Sequence, residues 1–143
     1  MIWRKKEIGM GYRSDVAYTI RFVDDHDTNN EQSFYTFLAE AKSNPKYALA
    51  LKEVAIIESR QEINFNAEDV KWYESYADVD SHMALVGLAE DWVRQVCEGT
   101  LHCRLGVIFM RVGEDTTDTE ERANGDYEWS WIQISRQIIT DWS

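Results

Sequence analysis

The sequence predicts an α+β domain: a mostly antiparallel sheet of four to five strands with two main helices packed on one face. Three observations carry that expectation. Val16, Tyr18, Ile20 and Phe22 alternate strictly with smaller or polar residues, the period of a strand with one buried face. His82, Leu85, Val86, Ala89, Trp92, Val93 and Val96 recur at steps of three and four, the stripe of an amphipathic helix. The segments follow one another in the order β-α-β-β-α-β-β, which suits helices laid over a sheet.

Each element has its own signal. Residues 16–22 form the first strand, with Ala17, Thr19 and Arg21 on its outer side. The polar run Asp24-Asp25-His26-Asp27-Thr28-Asn29-Asn30 supplies a turn and a cap, and Phe34, Phe37, Leu38 and Ala41 place a helix over 29–42. Asn44-Pro45 interrupts it, and a second helical piece covers 46–52. Residues 54–57 and 62–66 read as a hairpin around Ser59-Arg60-Gln61, without the glycine that would firm the turn. Ile63 and Phe65 are expected inward, Glu62, Asn64 and Asn66 outward. Asp80-Ser81 caps the long amphipathic helix and Gly99 ends it. Residues 104–112 form an apolar strand suited to cover on both faces. Residues 113–126 read as an acidic loop closing on the turn pair Asn124-Gly125. The last strand is 127–134, with Trp129 and Trp131 on one side and Ser130, Ile132 and Ile134 on the other.

Composition sets the class. The 143 residues suit one domain over 1–143, and 44% hydrophobic with 13% aromatic residues suits a packed core rather than disorder. The longest apolar run, 105–110, is far short of the roughly 20 residues a spanning helix needs. The start Met1-Ile2-Trp3-Arg4-Lys5-Lys6 lacks the apolar stretch of a secretory signal, so a cytosolic location is expected. Cys97 and Cys103 are too few for a disulfide framework and read as thiols. With His102 they do not make the short clip spacing of a zinc site, and no metal is assigned.

The net charge of −11 is more informative. Nucleic-acid affinity is supplied largely by Lys and Arg displacing counterions, so direct DNA or RNA binding is not expected, and a basic protein is the expected partner. The charge is uneven. Arg4, Lys5, Lys6 and Arg13 face only Glu7 near the start, whereas Glu114, Asp115, Asp118, Glu120, Glu121, Asp126 and Glu128 face only Arg122.

Signals for chemistry are thin. His26 sits among Asp24, Asp25 and Asp27, an arrangement that usually solvates a loop, and His82 lies on the apolar stripe, where a histidine is more often a core residue than a catalyst. His102 has no evident sequence partner. No nucleophile elbow, glycine-rich phosphate loop or metalloprotease helix occurs, and pairs such as Glu68-Asp69 and Glu90-Asp91 are unspecific among 26 acids. The acidic loop lacks the alternate-residue ligand order and central glycine of a calcium loop. No catalytic residue and no cofactor are assigned.

A docking face is the better candidate. The chain has six tryptophans, and Trp and Tyr dominate binding hot spots. The candidate surface is Glu114, Asp115, Asp118, Glu120, Glu121, Asp126 and Glu128 with Trp129 and Trp131, helped by Glu68, Asp69 and Glu74. An alternative is a ligand pocket, or a minor enzyme site, between helices and sheet, lined by Tyr12, Arg13, Trp72 and His82. A third reading is a self-associating structural or packaging accessory, which exposed apolar residues on both faces of the last strand would favour.

Two signatures add a resemblance. Met10-Gly11-Tyr12-Arg13-Ser14-Asp15-Val16-Ala17 and Val70-Lys71-Trp72-Tyr73 running into Tyr76-Ala77-Asp78-Val79 resemble a family of small, largely uncharacterised bacteriophage proteins. The similarity extends weakly through His82, Met110-Arg111-Val112-Gly113-Glu114-Asp115 and Ile132-Gln133-Ile134-Ser135-Arg136. Members begin at the methionine of the first signature, which makes 1–9 an extension. The resemblance implies a phage accessory protein acting in a bacterial host cell, with no catalytic role to carry over. Such proteins often block a host machine, offering carboxylates where a nucleic-acid enzyme expects phosphates. An inhibitor of a host defence or nucleic-acid-handling protein, an anti-CRISPR being one version, is the function it implies.

Overall fold

The computed structural model describes residues 12–23, 30–115, 117–135 and 137–142, and the expectations for 1–9, Met10-Gly11, the acidic turn at His26 and Arg136 lie outside them. The class is α+β, as predicted. The strands are β1 (Ser14–Phe22), β2 (Ala55–Ile57), β3 (Glu62–Val70), β4 (Leu105–Gly113), β5 (Thr119–Gly125), β6 (Ile132–Ser135) and β7 (Gln137–Thr140). The helices are α1 (Asn30–Lys42), α2 (Ala48–Glu53) and α3 (Ala77–Cys97). The first five strands form one antiparallel sheet in the order β2-β3-β1-β4-β5, and β6-β7 is a separate hairpin.

The sheet divides two apolar clusters. Val16, Tyr18, Ile20 and Phe22 of β1, Ile63 and Phe65 of β3, and Leu105, Val107 and Phe109 of β4 are buried with the apolar faces of α1, α2 and α3. Ala17, Ile108, Met110 and Val112, from the alternate positions, are buried with Trp131, Ile132 and Ile138 of the hairpin region. This second cover overturns the expectation that Glu62 and Asn64 point outward: both are buried, and so is Thr19. The period of two was right, but both sides of the strands are covered.

Local chemistry explains most element ends. Asn44 caps a 3-10 turn at Pro45–Tyr47 by accepting from the Lys46 amide, and the chain continues into α2. Gln61, at φ +56°, takes the left-handed place that a glycine would occupy between β2 and β3. α3 begins at Ala77, not at the Asp80-Ser81 cap. Ser81 is instead inside the helix, and its hydroxyl accepts from the Ala50 amide at 3.0 Å, fastening α2 to α3. At the other end Gly99, at φ +83°, donates to Val96 while Thr100 donates to Gln95, the paired bonds of a left-handed helix stop.

The C-terminal third departs most from expectation. The stretch read as an acidic loop contains β5, in which the adjacent Glu120 and Glu121 and the polar Arg122 and Asn124 leave no apolar alternation to mark a strand. Trp129–Trp131 is a 3-10 turn rather than strand, so the two indoles do not share a face: Trp129 is 50% exposed and Trp131 is buried.

Candidate functional site

The predicted docking residues separate by location. Ser14 pairs with Val70 on one side and Gly113 on the other, so the end of β3, the start of β1 and the end of β4 meet at one edge of the sheet. Glu68, Asp69, Glu74, Glu114 and Asp115 are all exposed there or on the segment that follows β3. A bulge between Ser14 and Val16 shapes this edge. In it, Asp69 adopts φ +54° and its amide donates to Asp15 at 2.9 Å. Arg13 ties the edge together, its amide donating to Glu114 at 3.1 Å and its guanidinium to the Asp69 carbonyl at 3.1 Å. The carboxylates are therefore held on a firm scaffold.

Other acids in the predicted set serve the fold. Arg111 grips Asp118 with two bonds of 3.1 and 2.7 Å, donates to Ser14 and lies 3.4 Å from Glu120. Tyr12 donates to the same Asp118 carboxylate at 2.7 Å. The Arg111 bonds, opposed by partial burial and helped by Tyr12, hold the Asp118 carboxyl below its ordinary range. Burial and the bond to Asp118 push the Tyr12 hydroxyl up. Asp126 pairs with Arg104 at 2.5 Å. Glu121 and Glu128 are exposed, and Trp129 meets Tyr127 edge-on at 5.0 Å. Glu128 and Trp129 lie past the opposite end of β5, about 20 Å away at roughly 3.3 Å per strand residue, whereas Glu121 is only two residues into the strand from the acidic edge. Carboxylates and indoles thus do not form the single surface that their sequence proximity suggests.

The alternative pocket is not brought together either. Tyr12 and Arg13 belong to the acidic edge, with the Tyr12 amide donating to the Tyr73 hydroxyl at 2.5 Å. His82 and Trp72 lie in the helix-covered cluster, ring centroids 5.6 Å apart, with Phe65 4.1 Å from His82. His82's partners, Tyr18 and Glu53, lie far from it along the chain and carry no local signal. Tyr18 bonds its Nδ1 at 2.6 Å and Glu53 its Nε2 at 2.6 Å. A carboxylate only accepts, so Nε2 carries the hydrogen and Nδ1 accepts from Tyr18. Burial lowers the His82 pKa against the opposing pull of Glu53, and burial raises that of Tyr18 well above its ordinary value. Tyr18 and His82 are fully buried, and the chain reaches solvent only at Glu53. Such a chain is suited to satisfying polar groups in a core rather than meeting a substrate.

A second polar network lies on the other face, and sequence reasoning missed it. Arg21 donates to Thr19 at 3.0 Å and to both Asp141 oxygens at 3.2 and 2.6 Å, and its guanidinium lies 4.6 Å above the Trp131 ring. Glu62 accepts from Asn64 at 3.2 Å and from Arg60 at 3.4 Å, while Thr19 donates to Asn64 at 2.5 Å. The available signal was the pairing of Arg21 with Glu62 and Thr19 with Asn64 on adjacent strands. Reading it required the strand register.

Among the described residues no cluster of three or more His, Cys, Asp or Glu side chains is arranged to hold a metal ion, and no helix is long and apolar enough to cross a membrane. No family model matches the chain, and neither a curated protein nor a solved structure matches it.

Proposed function

We propose that this protein works without making or breaking bonds, by docking the acidic edge of its sheet onto a basic protein. The observation that carries the reading is the gathering of exposed Glu68, Asp69, Glu74, Glu114 and Asp115 around one strand bulge, in a chain of net charge −11. Charge of one sign fixed on a rigid scaffold steers an oppositely charged partner and sets its orientation. Exposed carboxylates at strand ends also offer acceptors to the Lys and Arg side chains that line a nucleic-acid groove. The resemblance of 10–17 and 70–79 to phage proteins supports a host defence or nucleic-acid-handling protein as the target, in the host cytoplasm.

Affinity capture from a bacterial lysate at two ionic strengths tests the reading. The expected result is a basic protein retained at low salt and released as the screening length falls from about 10 Å at 0.1 M to about 3 Å at 1 M. Retention of the same protein at both strengths, or of acidic proteins only, counts against it.

A further inference from the structure

The buried ionic network on the hairpin side forms the floor of a pocket of about 390 Å³ lined by Arg21, Arg60, Glu62, Asp141 and Trp142. Its floor and rim differ in a way that packing does not require. Arg21 and Glu62 are the floor, with side chains only 11% and 10% exposed, and their bonding groups are taken up by Thr19, Asn64, Asp141 and Arg60. Arg60 and Asp141 are the rim, 57% and 42% exposed. Arg60 spends only its Nε, on a 3.4 Å contact with Glu62, and both terminal nitrogens of its fork remain without a bond among the described residues. Each Asp141 oxygen accepts one bond from Arg21 and keeps a further lone pair. The Trp142 indole closes a side, 5.7 Å from the Arg21 guanidinium.

A buried ion pair is a weak source of stability, since apolar residues of similar volume often do as well. Here the pair also shapes a cavity whose rim presents one cationic fork and one carboxylate. The charge balance selects the ligand. Two guanidinium groups face two carboxylates, so a simple anion meets Glu62 and Asp141 within a protein already at −11, and a simple cation meets Arg21 and Arg60. A compact molecule carrying both signs meets neither penalty. The volume sits near the lower end of the roughly 300–1,000 Å³ of small-molecule sites, which favours a metabolite of few atoms over a nucleotide or peptide.

We propose that this pocket binds a free α-amino acid, its carboxylate on the Arg60 fork, its ammonium on Asp141 and its side chain against the Trp142 indole. The guanidinium fork suits a carboxylate's paired oxygens, and the indole offers both an apolar wall and a negative ring face near the ammonium. The site lies on the face opposite the helices and is independent of the acidic edge.

The test is calorimetric titration of the whole protein with the twenty common amino acids at millimolar concentration. Each binder is repeated as its N-acetyl and α-methyl-ester derivatives, each of which removes one of the two backbone charges. The expected result is saturable binding of at least one amino acid, weakened by about tenfold or more in both derivatives, as loss of a charge-assisted bond implies. Arg60→Ala is expected to weaken it to a similar degree while leaving the unliganded melting temperature in place, because the side chain is more than half exposed. No binding by any of the twenty, equal binding of either derivative, or undiminished binding by a folded Arg60→Ala protein would each overturn the proposal.

Discussion

The two faces of the central sheet solve the same problem with different chemistry. Beneath the helices, polar groups are joined in a chain of Tyr18, His82 and Glu53, surrounded by Phe65, Trp72 and Phe109. Beneath the hairpin, Thr19, Asn64, Glu62, Arg21 and Asp141 form an ionic network with Trp131 against the guanidinium. The difference follows the depth of cover. A helix of 21 residues seals one face, where an unpaired charge would be costly, so the histidine is held neutral. Two strands of four residues cover the other, leaving a mouth through which charges stay partly hydrated.

The largest effect is expected where cover is deepest. Trp92 is buried among Phe22 and Phe37, with ring centroids 5.9 and 5.2 Å away, and bonds Glu40 at 3.1 Å. Trp92→Ala is expected to cost about 3–5 kcal/mol, read as a fall in denaturant midpoint with unchanged slope. A loss near zero would mean that the helical face is not the main core. Tyr18→Phe is next, at about 1–3 kcal/mol, because it strands His82 Nδ1 in a dry site.

The helical face is also expected to respond to pH. Since the folded His82 pKa is lowered, the folded state binds fewer protons than the unfolded chain, whose histidine titrates near 6.5. The stability it confers is complete above that value and is lost as pH falls through the folded pKa. Asp118, also lowered from its ordinary 3.8, contributes stability that disappears only at more acid pH. Denaturant midpoints measured down from pH 7.5 are expected to fall in two stages, and His82→Gln is expected to remove the first. An unaltered first stage in that variant would assign the drop elsewhere.

On the hairpin face, Asp141→Asn is expected to cost about 1–2 kcal/mol, since it removes the charge that anchors β7 to Arg21 but keeps a hydrogen-bonding group. Hydrogen exchange at the amides of β6 and β7 is expected to quicken while that of β4 does not. Uniform quickening would show that the hairpin is part of the main cooperative unit. The smallest effect is expected at Trp129→Ala, within about 0.5 kcal/mol, because the indole is half exposed and touches mainly Tyr127.

What the sequence reveals follows the same division. The helical face was legible because its burial writes a clear period: Phe34, Phe37, Leu38 and Ala41, then His82 through Val93, all point to one cluster. The hairpin face was not. Its cover comes from residues over a hundred positions away from β1, and Glu62 and Asn64 look like solvent residues until that cover is in place. β5 was hidden because Ala123 is its one apolar side chain, so no alternation marks it, and its adjacent acids Glu120 and Glu121 resemble a loop. Within the docking set, Glu68, Glu74 and Trp129 are exposed, Asp118 and Trp131 turn to Arg111 and Arg21, and Asp126, though exposed, is paired with Arg104. No local pattern distinguishes a carboxylate that meets solvent from one that meets an arginine distant in sequence.

The central claim, that the bulged edge of the sheet is the docking face, is tested most directly by titrating the captured partner against two charge-reversed proteins. Glu68→Lys with Glu74→Lys alters that edge; Asp126→Lys with Glu128→Lys makes the same change in net charge beyond the far end of β5. The expected result is a loss of affinity of about tenfold or more for the first pair and only a few-fold for the second, whose effect is through long-range steering alone. Equal losses in the two, or a larger loss in the second, would contradict the claim.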